Sequence, residues 1–357
     1  MRYEIAPDLV DSDGQLANPF FTTLTAIRSE GSIAAAARRL GVSYRYLWGY
    51  LRDRESEFGR ELIHWDKGRA ARLTAFAERL LWAEARIMAR LAPAIENLRA
   101  EISRELSVAI NDDVTIIDCA ASHDLALLVL RELCRAQADL LLELRFVGSI
   151  DALGELRRHR CAFAGIHLPL GRPELARRGS AIHRAFGPLL RLGKEKLLRT
   201  AIRTQGLMVA KANPASIKHL HDLTRSRFVN RPVGTGTRAL LDELLASIGV
   251  ATSDVPGYAH QESTHLAVAA CVASGQADVG FGIAAAAHAY GLDFIPMVDE
   301  HYFLVCEAPL IDSPVTSRII ELLRSRSWSD ALARLPGYRA DGAGDVVSLR
   351  RTLPWYE

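Results

Sequence analysis

The chain has 357 residues, of which 49% are hydrophobic and 24% charged, and its formal net charge is +2. That length suits two or three domains, and the composition is that of a globular protein with no apolar run long enough to span a membrane. The five cysteines, Cys119, Cys134, Cys161, Cys271 and Cys306, are odd in number and scattered. This argues against a disulfide framework or a zinc site and for a reducing cytoplasm. The acidic start, MRYEIAPDLVDSDGQ, lacks the apolar core of a secretion signal.

Residues 19–30 read as a helix with Phe20, Leu24 and Ile27 on one face. Gly31 ends it, and Ser32 caps a second helix, SIAAAARRL, whose alanines admit a close neighbour. Gly41 permits a tight turn with Val42 beneath it. Ser43 caps a third helix, SYRYLWGYLRDRESEF, running to about residue 58. A small-residue helix, a glycine turn and a capped helix rich in arginine and aromatics make a helix-turn-helix. The start of its second helix would face base edges, which nominates Ser43, Tyr44, Arg45 and Tyr46, with Arg52 following and Ser32 alongside. Leu47, Tyr50 and Leu51 are expected to pack inward; Trp48 follows on the base-facing side or packs inward, with the core as the favoured role. Ten Lys/Arg against six Asp/Glu between Arg28 and Arg72 give this region a mild basic footprint.

Residues 62–65 and 71–73 read as two short strands around the turn DKGR. A basic-tipped hairpin after a recognition helix is a wing, and Lys67, Arg69 and Arg72 are its candidate phosphate contacts. Residues 74–106 then read as one long helix, with Pro93 as a possible kink. Its stripe of Phe76, Leu80, Leu81, Ile87, Leu91, Ile95, Leu98 and Ile102 must be buried against something. The same helix of a second copy is the economical choice, giving a homodimer, or a dimer of dimers, on palindromic double-stranded DNA.

The stretch GSIAAAARRLGVSYRYLWGYL and the wing ending in RLT resemble the winged helix-turn-helix of bacterial molybdate-responsive repressors, over residues 19–105. LysR-type regulators share the layout. The short wing here lacks the usual glycine run of that pattern.

Beyond residue 107, strand-like and helical runs alternate, which predicts an α/β architecture. Strands are expected at 114–120, 140–147, 161–167, 206–210, 227–230, 278–282 and 301–306, and helices at 123–136, 151–159, 237–248 and 263–274. Two lobes of this kind fit a periplasmic-binding-protein-like domain serving as a cytoplasmic sensor. Three segments have anion-site chemistry, because ligands of such sheets sit where strands end and helix N-termini begin. In the first, Ser122 and His123 either donate to a ligand or are a plain cap and an exposed ring; the segment leaves both open. In the second, RPVGTGTR, Gly234 and Gly236 let the backbone approach a bound group, and Thr235 and Thr237 offer hydroxyls. Arg238 lies in the first helical turn, where a cation opposes the helix dipole unless an anion is near. In the third, Thr264 and His265 open a helix, with capping as the plainer reading.

The segments SHDLAL, VGSIDAL, AGIHLPL, QGLMVAKANP, RFVNRPVGTGTRALLDELL and ESTHLAVAACVASGQADVGFGI resemble a cytoplasmic binding-protein-like domain found fused to such DNA-binding domains and to molybdopterin-related proteins, over residues 110–307. The resemblance implies ligand contacts from Ser122, His123, Ser149, Thr237 and Arg238, with His167 and Thr264 behind them. It implies a small-anion effector, molybdate or tungstate, and a repressor of molybdenum-enzyme genes. Formate acting on formate dehydrogenase genes is the alternative, and an enzyme acting on a molybdopterin-type ligand is a third. No metal, no other cofactor and no catalytic residue is expected. Ser122-His123-Asp124 has the residue types of a triad, but consecutive positions at a helix start cannot form its hydrogen-bond chain.

The expected fold class is therefore multidomain, α followed by α/β. An extension covers residues 1–18, a winged helix-turn-helix 19–73, a linker and dimerisation helix 74–106, and a two-lobed effector domain 107–357.

Overall fold

The computed structural model describes residues 18–64, 70–110, 114–137 and 139–356. The expected wing contacts Lys67 and Arg69 lie outside the described residues, as does the extension up to residue 17. The chain folds as two compact units, Met1–Met88 and Ala89–Glu357. Among the described residues, no helix is long and apolar enough to cross a membrane.

In the first unit, α1 (Pro19–Glu30), α2 (Ile33–Arg39) and α3 (Tyr44–Phe58) are followed by β1 (Ile63–His64) and β2 (Arg72–Leu73). Each helix starts where the chain supplies a cap. The side chains of Asn18, Ser32 and Ser43 accept the amides of Phe20, Ala35 and Tyr46. Gly41 takes φ of +66°, a left-handed conformation that only glycine adopts freely, and so turns α2 into α3. Phe20, Leu24, Ile27, Ala36, Leu47, Leu51, Leu62 and Ile63 form the core. β1 and β2 pair antiparallel, with Ile63 opposite Leu73, and the amide of Ala71 donates to the carbonyl of Gly31. The hairpin is thereby tied to the α1–α2 junction. Helix α4 (Ala75–Ile110) begins in this unit and runs unbroken through Pro93 into the second.

The second unit is a mixed nine-stranded sheet wrapped by helices. In chain order its elements are β3 (Thr115–Ala121), α5 (Leu125–Arg135), β4 (Leu140–Phe146), α6 (Ser149–Arg157), β5 (Phe163–Leu168), α7 (Ala181–Phe186), β6 (Glu195–Val209) and β7 (Phe228–Val229). Then come α8 (Gly236–Ser247), α9 (His265–Ala273), β8 (Val279–Ile283), α10 (Ala284–Ala289), β9 (Asp293–Glu307), α11 (Pro314–Arg324), α12 (Arg326–Ala333), β10 (Tyr338–Arg339), β11 (Val346–Ser348) and α13 (Leu349–Thr352). The strand order is β4-β3-β5-β9-β6-β8-β7, with β10 and β11 also pairing with β6.

Strands β3, β4 and β5 run parallel at one end of the sheet, and β7 and β8 run parallel at the other. Two 15-residue strands, β6 and β9, pair antiparallel between them. Sequence periodicity marks only 206–210 and 301–306 of these two. The missed portions carry Glu195, Lys196, Arg199 and Arg203, and Asp299 and Glu300, which interrupt an apolar pattern. One apolar core packs α5, α9, α10, α11 and α12 against the sheet, and another packs α6, α7 and α8. Each core draws on both ends of the sheet, so the cores divide by face and not by lobe.

Candidate functional site

The start of α3 carries the exposed side chains Tyr44, Arg45 and Tyr46, with Trp48 also 41% exposed. Trp48 is thus not a core residue: it stands outward with the Arg52 guanidinium 5.4 Å from its ring, while Leu47 and Leu51 fill the core. Ser32 and Ser43 use their hydroxyls as helix caps. Arg52 pairs with Glu55 at 3.1 Å. Glu55 is buried, and its other carboxylate oxygen accepts the amides of Leu62 and Ile63 at 2.7 and 3.2 Å. The carboxylate therefore fastens the first wing strand to the recognition helix. Arg72 is exposed on β2.

In the second unit the carboxyl ends of β3, β4, β5 and β7 lead to the chemistry expected there. A Cβ built on Gly148 would meet the carbonyl of Gly234 at 3.4 Å, and one on Gly236 would lie 3.8 Å from the carbonyl of His167. The loops from the two ends of the sheet thus come together. Gly234 has φ of +88°, which a side chain would strain. The Ser149 hydroxyl donates to Ser122 at 3.3 Å, and the His123 ring packs on Phe146.

Beneath these loops the sheet carries buried polar side chains, with His167 on β5, Glu300 and Tyr302 on β9, and Arg203 and Gln205 on β6. His167 is opposite Tyr302 in register, and Arg203 is opposite Glu300. Asp124, which caps α5, collects Arg203 Nη1 at 2.6 Å, the Tyr338 hydroxyl at 2.9 Å and His167 Nε2 at 3.2 Å. Burial would raise its pKa, but the His167 hydrogen bond and the Arg203 charge hold the carboxyl well below the usual carboxylate range. Gln205 bridges Glu300 and the Thr237 hydroxyl, and Thr237 lies 3.5 Å from His265 Nε2. Burial lowers the pKa of His123, His167 and His265, helped by the charges of Arg231 or Arg203. That direction favours the neutral imidazole at each.

Arg231 is the unusual member. It is 4% exposed and has no carboxylate at ion-pair distance among the described residues. Its Nη1 donates to the carbonyl of Glu262 at 2.8 Å, and its Nε has no partner. Burial, and then the charge of Arg203, push its pKa down to about 9, with Glu262 acting weakly the other way. A buried guanidinium so placed is stabilised by an anion. Nearby, α6 starts at Gly148 without a side-chain cap, and Asp151 stands in its first turn.

The structure brings Ser122, His123, Ser149, His167, Gly236 and Thr237 to this cluster, and it accounts for three other candidates within the chain. Thr235 caps α8 and donates to the carbonyl of Pro232. Thr264 caps α9 and donates to the carbonyl of Ala89. The anion that Arg238 requires at the start of α8 is Asp242, four residues on; Tyr258 adds its hydroxyl at 3.1 Å and a ring 4.0 Å from the guanidinium carbon. Sequence reasoning missed Arg231, Arg203, Gln205 and Glu300. Arg231 directly precedes the glycine-rich segment, so its place at a strand end was the available signal.

Ser122 bonds to Ser149 and Asp124 to His167, so Ser122, His123 and Asp124 do not make a triad chain. His260, Glu262 and Cys271 bring one ligand atom each within 4.8 Å of one another, but Arg90 already engages both Glu262 oxygens. A hollow of about 530 Å³ lined by Asp118, Leu156, His159, Cys161 and Glu307 touches none of the candidate ligand residues.

A family model described as "Bacterial regulatory helix-turn-helix protein, lysR family" matches residues 21–78, and one described as "PBP superfamily domain" matches residues 130–324. The class is a one-component regulator architecture, a regulatory helix-turn-helix followed through a long helix by a substrate-binding-type domain. The second match covers more than half of the residues, and the chain belongs to the PBP superfamily. It is 34% identical over 205 residues to the uncharacterized protein YvgK of Bacillus subtilis strain 168, covering 57% of this chain and 64% of that one. An uncharacterized protein from the 5′ region of a 2Fe-2S ferredoxin gene of Clostridium pasteurianum is 31% identical over 110 residues, 30% of this chain and 97% of that protein. Among solved structures, a hydrogen-peroxide-bound mutant of Corynebacterium glutamicum OxyR aligns with a TM-score of 0.48 at 14% identity, covering 89% of this chain and 95% of its own. Full-length CbnR in complex with its target DNA aligns with a TM-score of 0.41 at 18% identity, covering 87% and 98%.

Proposed function

We propose that the protein is a cytoplasmic, homodimeric transcription regulator that binds a palindromic DNA site through α3 and the wing and responds to a small oxyanion held beside Arg231. The observation that carries the effector half is the buried guanidinium of Arg231, which has a free Nε and, among the described residues, no carboxylate partner. A carboxylate, molybdate or tungstate presents the oxygen acceptors such a group requires. The DNA half is supported by the family match over residues 21–78 and by the exposed Tyr44, Arg45 and Tyr46. Lys67, Arg69 and Arg72 are proposed phosphate contacts. The repressor sense and the link to molybdenum-enzyme genes rest on the sequence resemblance.

A thermal-shift screen of the full chain against molybdate, tungstate, sulfate and formate tests the effector half. One anion raises the melting temperature, and Arg231→Gln abolishes that rise. If no anion shifts the native protein, the oxyanion reading fails. Gel retardation with Tyr44→Ala and Arg45→Ala tests the other half, and undiminished retardation overturns the recognition-helix assignment.

A further inference from the structure

The polar cluster contains two acceptors with nothing to accept. Glu300 is 0% exposed. Its Oε2 receives Arg203 Nε at 3.0 Å, Arg203 Nη2 at 3.0 Å and Gln205 Nε2 at 2.6 Å, while its Oε1 has no partner. The Oε1 of Gln205, also 0% exposed, is unpaired as well. Turning that amide over relieves nothing, because its nitrogen is the atom that must face the Glu300 carboxylate. A buried carboxylate oxygen and a buried amide oxygen both require donors.

The Tyr302 hydroxyl of the same cluster is unpaired as well. Arg231 Nε is a donor without an acceptor. A chain of polar contacts leads from Gln205 to His265. Gln205 meets the Thr237 hydroxyl at 3.0 Å, and Thr237 meets His265 Nε2 at 3.5 Å. His265 in turn lies within the field of Arg231, and its own Nδ1 is unpaired. A molybdate dianion has acceptors only and satisfies the Arg231 side alone.

Resting on the oxyanion reading above, we propose that the effector is bifunctional: a small carboxylic acid whose carboxylate faces Arg231 and whose amino or hydroxyl group donates to Glu300 and Gln205. The acid group supplies the missing anion, and the donor supplies the hydrogens that the two orphaned oxygens lack.

Calorimetric titration of the full chain with acetate, glycolate, glycine and molybdate tests this. Acetate has the carboxylate without the donor, and glycolate and glycine add a hydroxyl and an ammonium group. We expect glycolate or glycine to bind at least about tenfold more tightly than acetate, the usual return of one hydrogen bond to a charged acceptor. Glu300→Gln and Gln205→Met each erase the difference between acetate and its donor-bearing relatives. Equal affinities for acetate, glycolate and glycine in the native protein, or molybdate outranking all three, overturn the bifunctional effector while leaving an oxyanion site intact. If none of the four binds and Arg231→Gln changes nothing, the oxyanion reading itself falls. The comparison on the native chain decides even if both variants fail to fold.

Discussion

The hydroxyl of Thr264 donates to the carbonyl of Ala89 at 2.9 Å, and Ala89 lies four residues before Pro93 in helix α4. In an unbroken helix that carbonyl takes the amide of the fourth residue on, and proline has no amide to give. Thr264 supplies the missing hydrogen, which is how α4 continues through Pro93. Beside it, Arg90 grips the buried carboxylate of Glu262 with Nε at 2.6 Å and with Nη2. The backbone carbonyl of the same Glu262 receives Arg231. A single loop thus meets both the long helix and the proposed anion site.

Thr264→Val keeps the shape of the side chain and removes both of its hydrogen bonds. The carbonyl of Ala89, 5% exposed, then has no donor, and α9 loses its cap. We expect a loss of about 2–3 kcal/mol, combining a stranded carbonyl with a missing cap. Urea unfolding followed by circular dichroism measures it. A midpoint within error of the native chain contradicts the assignment of Thr264 to the proline gap.

The helix-turn-helix was legible because every local signal agreed: caps at Ser32 and Ser43, a glycine where φ is positive, and Leu47 and Leu51 at core spacing. The centre of the sheet was not. Arg203 and Glu300 look like surface residues in the sequence and are buried because they neutralise each other across two strands that are distant in sequence. Nothing local announces such a pair. The anion beside Arg238 was not legible for a related reason, since Asp242 lies one helical turn further along α8. Trp48 was open to either role, and the structure turns it outward while Leu47 and Leu51 fill the core.

Glu55 gives the wing a test that does not involve touching DNA. Its carboxylate accepts the amides of Leu62 and Ile63 from a buried position. Glu55→Ala strands both amides and should cost about 2–4 kcal/mol locally. Hydrogen exchange at those two amides accelerates, and DNA affinity falls although residue 55 lies on the inner face of α3. Unchanged protection at residues 62 and 63 removes the proposed tether.

Two buried histidines, His167 and His265, and the half-buried His123 set a pH dependence of stability. Burial lowers the folded-state pKa of His123, His167 and His265 below the ordinary 6.5. A base with a depressed pKa contributes stability above its unfolded value and loses it as the pH falls. Asp124, held low by His167 and Arg203 against its burial, acts in the same sense at more acid pH. The melting temperature should therefore drop between pH 7.5 and 5, as the stability falls by up to about 1.4 kcal/mol per pH unit for each histidine that titrates. His265→Gln should flatten that slope. A pH-independent melting temperature over this range contradicts neutral, buried imidazoles.

The homodimer proposed above rests on α4. Ile87, Leu91, Leu98, Ile102 and Leu106 are each 47–60% exposed on that helix, separated by steps of four and seven residues. Such spacing aligns them along one side, and an apolar stripe of that length in water is costly. We propose that a second copy of the same helix covers it in a symmetric pairing, as a two-fold DNA site requires. Leu98→Glu combined with Ile102→Glu puts charge into the centre of that seam without disturbing a buried residue. We expect the variant to sediment as a monomer at concentrations where the native chain is a dimer. Retardation of a palindromic site should weaken by about 100-fold or more, because the second half-site no longer benefits from tethering. Retardation of a single half-site should be unchanged, since Tyr44, Arg45 and Tyr46 are untouched. A variant that still sediments as a dimer places the interface elsewhere, and a monomer that binds the palindrome at full strength removes the requirement for two copies.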